Sequence, residues 1–452
     1  MMEPPKNHDV GNGEEITFTD PNFERAIRKA LGKARGRVYP SDLARLTRLG
    51  FELCFEQIRD ISPLANCTSL TTLRLHDNQI RDISPLANCT SLQMLNLHNN
   101  QISDISPLAN LANLKELDLD NNQISDISPL ANLTKLQKLF LNRNKISDIS
   151  PVAHLTSLQT LFLEKNKISD ISPVANLTNL TRLYLYGNKL GHVPPLINLT
   201  KLADLELSYI RISDTSPLAN LASLTSLVLE YNQICDISPL ANLTKLTFLI
   251  LDNNQISDVS PLSNLTNLTD LYIQRNQITD LSPLANLTNL RNLYLEVNQI
   301  TDLSPLQNLT NLMNLNLSRN QISDISPLTS MNNLCWLNLA NNQISDISPP
   351  LNLTSLGTLI LDNNQVSDIS ALVNLTNLED LRLANNQISD ISPLIYLPRL
   401  TWLDLTKNQV SGISRSCLGT LMMFRAPRPL RRCCWIISNY LTMLLERRRK
   451  TH

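Results

Sequence analysis

Three residues that could hold a metal ion recur at one position of successive 22-residue blocks. His76, His98 and Asp120 are each separated by 22 residues. Two imidazoles and a carboxylate are ligands that suit a divalent metal such as zinc. Solvated surface residues are the favoured interpretation of such a stripe, so we expect neither a metal site nor a cofactor.

Two further repeated motifs also have structural explanations. A row of aspartates, as in Asp104 and Asp126, could make weak calcium contacts, but turn or helix capping explains it better. Asn-Leu-Thr, as at Asn132, Asn176 and Asn242, has the form of a glycosylation acceptor. Its leucine is a core position of the repeat, which favours a structural role.

Nothing else in the sequence predicts catalysis or nucleic-acid binding. There is no glycine-rich phosphate loop, no metalloprotease motif and no isolated set of Ser, His and Asp. We therefore predict that the protein is not an enzyme.

The net charge is −1, and residues 412–452 hold nine basic residues and one acid, so the remainder carries −9. A negatively charged repeat region is a poor match for nucleic acid, which is itself negatively charged.

The elements that must position these residues are set by the repeat itself. The block recurs fifteen times without insertion from Leu70 to Arg399, and a sixteenth copy runs from Leu400 to Ile413. Its pattern is L-x-x-L-x-L-x-x-N-x-I-x-D-I-x-P-L-x-N-L-x-x, numbered here from the first leucine. A fixed period of this length predicts a solenoid.

Each part of the block predicts a local structure. L-x-L alternation predicts a short strand with leucines inward, paired in parallel with the strand of the next copy, about 4.8 Å away. The Asn at the ninth position is expected to be buried and to bond backbone of its own and neighbouring turns. Ser-Pro-Leu predicts a helical or 3₁₀ turn, with Ser as the cap and Pro at the first position.

The block resembles a leucine-rich repeat of the 22-residue kind. The phrase NQISDISPLANLT, found at residues 122–134, resembles bacterial internalins and related surface repeats. A phosphatase-1 regulatory subunit of the same repeat length is a more distant resemblance. The segment Ile16–Phe51, with FTDPNFERAIRKALGK, resembles the helical N-terminal cap of such bacterial proteins. The resemblance implies an α/β solenoid and protein binding. The fold would be a horseshoe with a concave parallel β-sheet, a 3₁₀ or irregular convex side and a helical N-terminal cap.

The sequence divides into four segments. We predict a disordered N-terminus (1–15), a helical N-terminal cap (16–47), a leucine-rich-repeat solenoid (48–413) and a basic non-repeat tail (414–452).

Capping signals predict two short helices in the second of these segments. Asp20 can cap the first, with Pro21 in its first turn and Gly32 just past its end, and Ser41 or Asp42 starts the second.

The tail breaks the repeat where the pattern predicts Ile-Ser-Pro-Leu and the chain reads Ile413-Ser414-Arg415-Ser416. Loss of one nucleotide would turn Pro-Leu into Arg-Ser, so we interpret the tail as frameshifted. A basic amphipathic contact to a membrane or partner is the alternative.

The apolar run 433–445 is too short to span a bilayer, and the N-terminus lacks signal-peptide features. We expect a cytoplasmic protein, or a secreted or surface protein if the start of the sequence is misassigned.

Several copies depart from the pattern. Ile210 replaces the ninth-position Asn, Thr215 replaces a core Ile, and Leu190–Pro195 reads LGHVPP, with His192 in place of Asp. Drift in a redundant array and a local change of curvature both explain these changes.

The first copies also contain unusual residues. The first rung, residues 48–69, has Phe51 and Glu56 where later copies have Leu and Asn. Cys67 and Cys89 occupy a leucine position on adjacent rungs, and we interpret them as small buried hydrophobes. A disulfide between them is geometrically feasible but is not implied.

The concave face is the candidate binding surface. The fifth position alternates with inward leucines. It is mostly polar at both ends of the array but aromatic or aliphatic in the middle, except at Glu206. β-Propensity alone could explain such residues, whereas their clustering in consecutive copies favours an interaction patch. With neighbouring positions, the candidate partner-binding residues are Phe140, Phe162, Tyr184, Tyr186, Tyr209, Tyr231, Phe248, Ile250, Tyr272 and Tyr294.

These observations favour a non-catalytic scaffold that binds a protein or peptide ligand on its concave face. The first alternative is a regulatory subunit that targets or inhibits an enzyme such as a phosphatase. The second is an enzyme whose catalytic domain was lost beyond the shifted tail. The oligomeric state and the identity of the partner stay open.

Overall fold

The computed structural model describes residues 14–50, 53–349 and 353–410. Predictions for Phe51, for residues 1–13 and for the tail at 414–452 lie outside these residues. The chain divides into two compact units, which we call the first unit, up to Asn254, and the second unit, from Gln255. The described residues contain no helix that is long and apolar enough to cross a membrane.

The first unit begins with two short helices, α1 (Pro21–Ala30) and α2 (Pro40–Leu43). The predicted cap of α1 is confirmed, because the Asp20 carboxylate accepts from the backbone amides of Asn22 and Phe23 at 2.9 and 3.1 Å. Phe23 and Ile27 form its buried face. Helix α2 begins at Pro40, one residue before the earliest predicted start, because Asp42 bonds back to the amide of Tyr39.

Each copy of the repeat contributes one short strand. Neighbouring strands within each unit pair in parallel and in register, leucine against leucine. In the first unit these are β1 (Arg48–Leu49), β2 (Thr72–Arg74), β3 (Met94–Asn96), β4 (Glu116–Asp118), β5 (Lys138–Phe140), β6 (Thr160–Phe162), β7 (Arg182–Tyr184), β8 (Asp204–Glu206), β9 (Ser226–Val228) and β10 (Phe248–Ile250). In the second unit they are β11 (Asp270–Tyr272), β12 (Asn292–Tyr294), β13 (Asn314–Asn316), β14 (Trp336–Asn338), β15 (Thr358–Ile360), β16 (Asp380–Arg382) and β17 (Trp402–Asp404).

The return segment of nearly every copy contains a 3₁₀ turn. In the first unit the described turns are Ser62–Asn66, Ser84–Asn88, Ser106–Leu108, Ser128–Leu130, Ser150–His154, Ser172–Asn176, Pro194–Asn198, Ser216–Leu218 and Ser238–Asn242. In the second unit they are Ser260–Leu262, Ser282–Leu284, Ser304–Leu306, Ser326–Ser330, Ser370–Asn374 and Ser392–Tyr396. The strands and these turns enclose a core of leucines and isoleucines that are almost fully buried.

The ninth-position asparagines form the predicted hydrogen-bonded ladder. In a typical rung, Asn144 Nδ2 donates to Leu141 O of its own rung at 3.2 Å and to Leu119 O of the preceding rung at 3.0 Å. Its Oδ1 accepts from the Ile124 amide of the preceding rung at 3.0 Å. One buried side chain therefore satisfies backbone groups on both sides of each rung boundary.

The cap of the 3₁₀ turns differs from the predicted one. Serine is the first residue of the turn and does not cap it. The aspartate two residues earlier does so, as where Asp126 Oδ1 accepts from the Ser128 amide at 2.8 Å. The Ser128 hydroxyl donates to Asp126 Oδ2 at 3.0 Å, because the carboxylate is the stronger acceptor. The capping role predicted for the repeated aspartates is confirmed.

The ladder is rerouted at the copy that lacks its asparagine. Ile210 is fully buried, and its backbone carbonyl accepts from the Gly191 amide at 2.8 Å. Gly191 has φ of 70°, a conformation that suits glycine. In the same region the Thr215 hydroxyl donates to the carbonyl of Asp236 at 3.0 Å. The irregular residues at 190–215 thus form an alternative set of hydrogen bonds.

The paired cysteine positions are part of the core. Cys67 and Cys89 are free and fully buried, which confirms their interpretation as small hydrophobes. Burial raises the pKa of the Cys67 thiol to about 12 and that of Cys89 to about 11, so both are protonated at neutral pH.

We predict that Asn144→Ala lowers the free energy of unfolding by about 2–4 kcal/mol, because it leaves the Ile124 amide and two buried carbonyls without that partner. Equilibrium denaturation in urea measures the change. Asn132→Ala removes an exposed asparagine of the preceding copy and should cost less than about 0.5 kcal/mol. Equal losses for the two variants would contradict the ladder.

Gly191→Ala should destabilise the protein by about 1 kcal/mol, because alanine disfavours the left-handed backbone. No atom lies within 4 Å of the added Cβ, so the cost is conformational. The control is Gly357→Ala, whose Cβ would meet the Cys335 carbonyl oxygen at an ordinary 3.6 Å and whose φ is outside the left-handed region. A neutral Gly191→Ala variant would contradict the rerouted turn.

Candidate functional site

The solvent-facing side of the strands, which we call the strand face, presents the third, fifth and seventh positions of each copy. Alternate residues of a strand share a face, and the leucine between them is buried. The eighth residue has positive φ in the described copies from Asp77 onward, including Gly187. Since the strands are in register, equivalent side chains of adjacent copies lie side by side. The positive φ of the eighth residue turns the chain away from the strand direction.

The first group on this face is a cluster of histidines and an aspartate. The rings of His76 and His98 stack with their centroids 4.8 Å apart, as their shared position predicts. Asp77 Oδ2 lies 2.8 Å from His76 Nδ1 and 3.3 Å from His98 Nε2. His98 Nδ1 lies 3.3 Å from Asp118 Oδ2, and this hydrogen bond raises the pKa of His98.

Asp120, the third residue of the predicted stripe, has a different environment. Its Oδ1 accepts from the Asn142 amide at 2.6 Å and its Oδ2 from Asn142 Nδ2 at 2.9 Å. Burial, and secondly the charge of Asp118, raise the pKa of Asp120 to about 7, although the bonds from Asn142 lower it. Asp77, not Asp120, thus completes the cluster of potential metal ligands. The sequence did not indicate this, because the stripe compared seventh positions only.

A first row of aromatic rings follows on β5, β6 and β7. Phe140 and Phe162 meet edge to face with centroids 5.1 Å apart, and Phe162 stacks on Tyr184 at 4.0 Å. The Tyr184 hydroxyl donates to Asp204. The guanidinium of Arg182 lies 5.8 Å from the centroid of the Phe162 ring.

A second row runs beside the first at the strand ends. Tyr186 and Tyr209 meet edge to face at 5.3 Å, and Tyr209 stacks on Tyr231 at 4.1 Å. Tyr209 is 39% exposed. Burial, and then the hydrogen bond with Tyr231 and the nearby Glu230 carboxylate, raise the pKa of the Tyr209 hydroxyl. The Nζ atom of Lys165 lies 5.4 Å from the centroid of Tyr186.

The remaining part of the first-unit face is more buried than the sequence indicated. Ile250 is 1% exposed, whereas Phe248 is half-buried. Glu206 and Glu230 are also buried, and Glu206 Oε1 accepts from the Ser208 amide at 2.9 Å. Ile250 is therefore not accessible to a ligand although it holds a fifth position, and carboxylates accompany the rings.

The second unit has its own aromatic row. Tyr272 stacks on Tyr294 with centroids 4.8 Å apart, and Tyr294 lies 5.9 Å from Trp336. Tyr294 is 7% exposed, and burial raises the pKa of its hydroxyl to about 12. Sequence reasoning missed Trp336, because it lies two copies beyond Tyr294, where the predicted run of aromatic and aliphatic residues ends. The sequence did contain a signal, since the third position of a copy lies on the same face as the fifth.

Comparison with known proteins identifies the family. A leucine-rich-repeat family profile, of two repeat copies, matches residues 44–198, 244–286, 288–330, 332–374 and 376–416. The chain belongs to the leucine-rich-repeat proteins. The predicted fold class, a leucine-rich-repeat solenoid of parallel strands and 3₁₀ turns, is thereby confirmed. Residues 199–243, which include Ile210, lie outside the matches. No curated protein matches the chain.

Solved structures are also similar to the chain. The internalin InlF of Listeria monocytogenes is 38% identical, with a TM-score of 0.49, over 86% of this chain and 96% of its own. A leucine-rich-repeat protein of Leptospira interrogans is 25% identical, with a TM-score of 0.70, over 85% and 95% of the two chains.

A plant receptor is also similar. The ectodomain of the Arabidopsis thaliana receptor kinase GASSHO1/SCHENGEN3, in complex with CASPARIAN STRIP INTEGRITY FACTOR 2, is 25% identical with a TM-score of 0.68. The match covers 80% of this chain and 50% of the ectodomain. Proteins of this fold are typically binding scaffolds and not enzymes.

The raised pKa of Asp120 predicts a pH-dependent stability. Between its ordinary value of 3.8 and about 7, the folded protein holds a proton that the unfolded chain has lost. Stability should therefore fall as the pH rises through this window, by up to about 1.4 kcal/mol per pH unit. We predict that the free energy of unfolding of the wild type, relative to Asp120→Asn, decreases from pH 5 to pH 7 in chelator-containing buffer.

The matched control is Asp104→Asn, since the bond from the Ser106 amide lowers the pKa of this exposed carboxyl. Its charge does not change in that window, so its difference from the wild type should be constant. A constant difference for Asp120→Asn as well would contradict the raised pKa.

Proposed function

We propose that this protein is a non-catalytic scaffold that binds a peptide or a protein segment on the strand face of the first unit. The observation that carries the proposal is the pair of aromatic rows on neighbouring strands, Phe140–Phe162–Tyr184 and Tyr186–Tyr209–Tyr231. Fixed aromatic rings bury a ligand side chain with little loss of their own conformational entropy. They are also the residues that most often dominate binding energy.

The arrangement of the rings favours an extended ligand. The fifth-position rings repeat on three consecutive rungs, so a chain that crosses strands β5, β6 and β7 meets a new ring at each step. Tyr209 and Tyr231 occupy the left-handed position, where most residue types are disfavoured. The same conformation recurs at the eighth position of the other described copies, so both rings take a place that the repeat provides.

The charges nearby indicate the chemistry of the ligand. Lys165 and Arg182 already lie over two of the rings, so the geometry for cation–π contacts is present. Asp204 and Glu230 add negative charge at the same rows. We infer a ligand that combines apolar side chains with lysine or arginine.

A second aromatic row makes the second unit a further candidate surface. Tyr272, Tyr294 and Trp336 could bind a ligand of similar chemistry. The plant ectodomain described above is in complex with a named factor, which supports ligand binding as a use of this fold. Regulation of an enzyme such as a phosphatase would be one purpose of such binding.

Selection of random short peptides on the purified chain provides the probe. We predict that selected peptides are enriched in arginine, lysine and apolar residues. The double variant Phe162→Ala/Tyr184→Ala should bind them at least about tenfold more weakly, because it removes two stacked rings. Isothermal titration calorimetry measures the affinity, and an unchanged melting temperature shows that the fold is intact.

Two comparisons make the result specific. Tyr396→Ala removes an aromatic side chain that is exposed on a 3₁₀ turn, and it should leave the affinity unchanged. Tyr272→Ala tests whether the second unit contributes. Selected peptides that bind the double variant as tightly as the wild type would refute the role of the first-unit rows, as would a failure to select any peptide.

A further inference from the structure

We propose that His76, Asp77 and His98 form a binding site for a divalent transition metal, with zinc as the best fit. One donor atom from each residue lies within 4.8 Å of the other two. Two of the three separations are 2.8 Å and 3.3 Å, both measured to Asp77 Oδ2. This cluster lies on the strand face of the first rungs and is independent of the aromatic rows.

The separations suit tetrahedral coordination. Bonds of about 2.0–2.1 Å to zinc place neighbouring ligand atoms roughly 3.3 Å apart. The pairs that involve Asp77 are already close to this spacing. The two histidine nitrogens lie within 4.8 Å of each other, and His98, whose side chain is 34% exposed, has room to move.

The fold itself brings these donors together. His76 and His98 hold the seventh position of adjacent copies, so their rings lie parallel, with an interplanar angle of 8°. Asp77 follows His76 in the left-handed conformation, with φ of 58°. Phe55 packs edge to face on His76 at 5.3 Å and limits the movement of that ring.

Neighbouring side chains hold two of the ligands in a productive orientation. Asp118 Oδ2 lies 3.3 Å from His98 Nδ1, which leaves Nε2 directed at Asp77. Asn99 Nδ2 donates to the other oxygen of Asp77. A carboxylate behind a metal-binding histidine fixes its tautomer and increases its basicity, and zinc sites commonly have this feature.

The three protein ligands leave one coordination position open. Water can fill it, as can a carboxylate or imidazole of a bound partner. The preference is for zinc over magnesium or calcium, because imidazole nitrogen is a poor ligand for those hard cations. The site is therefore suited to an ion whose fourth ligand is supplied by water or by a bound partner.

The test titrates zinc into the untagged full-length chain, which is first treated with a chelator. We expect one tight equivalent by calorimetry at neutral pH and a higher melting temperature with zinc present. His98→Gln should weaken this binding at least tenfold. The matched control, His154→Gln, replaces an exposed histidine on a 3₁₀ turn and should bind zinc like the wild type.

Cobalt distinguishes this cluster from the cysteines. Co²⁺ bound by two imidazoles and a carboxylate should give visible d–d absorption without the strong near-ultraviolet band of a thiolate ligand. Absence of zinc binding by the wild type would overturn the proposal. So would equal binding by the two histidine variants, or a thiolate band.

Discussion

The structure depends on one buried or half-buried asparagine side chain, present in the described copies from Asn78 onward except the copy of Ile210, that joins consecutive rungs. Each ninth-position asparagine donates to a carbonyl of its own rung and to one of the rung before, and it accepts an amide from that preceding rung. A buried backbone group without a partner is costly, so each boundary is stable only when the two rungs are in register. The leucine core supplies the main driving force, and the asparagines determine the alignment.

The exposed chemistry follows from that register. Because strands pair leucine against leucine, each side chain lies next to the side chain at the same position of the adjacent rung. Identical or similar residues in consecutive copies therefore stack, as Phe162 does with Tyr184 and His76 with His98. Substitutions at one repeat position in a few consecutive copies therefore form a continuous surface. In this way a regular repeat acquires a specific site.

Much of this could be predicted from the sequence, because a constant period fixes the environment of each position. The strands, the buried leucines, the asparagine ladder and the aspartate caps all repeat, so one correct interpretation applies to every copy. The serine cap was predicted wrongly, since pattern alone does not reveal which of two nearby oxygens reaches the amide. The rerouting at Ile210 was also hidden, because its compensation depends on the backbone of Gly191 in the preceding rung.

The candidate sites were harder to predict, for a geometric reason. Position on the repeat identifies which residues share a face, but it does not give the direction of residues in the left-handed conformation. Asp77 therefore joins the histidines while Asp120 bonds to Asn142. Burial of Ile250 and the approach of Trp336 to Tyr294 depend in the same way on side-chain packing across rungs.

Amide hydrogen exchange at the residue two places after each ladder asparagine tests the central claim most directly. Ile102, Ile124 and Ile146 donate their amides to asparagine side chains of the following rung and to no backbone carbonyl of a strand. The ladder predicts that these amides exchange as slowly as those of the neighbouring strands. Exchange at the rate of an unstructured chain, with the strands still protected, would contradict it.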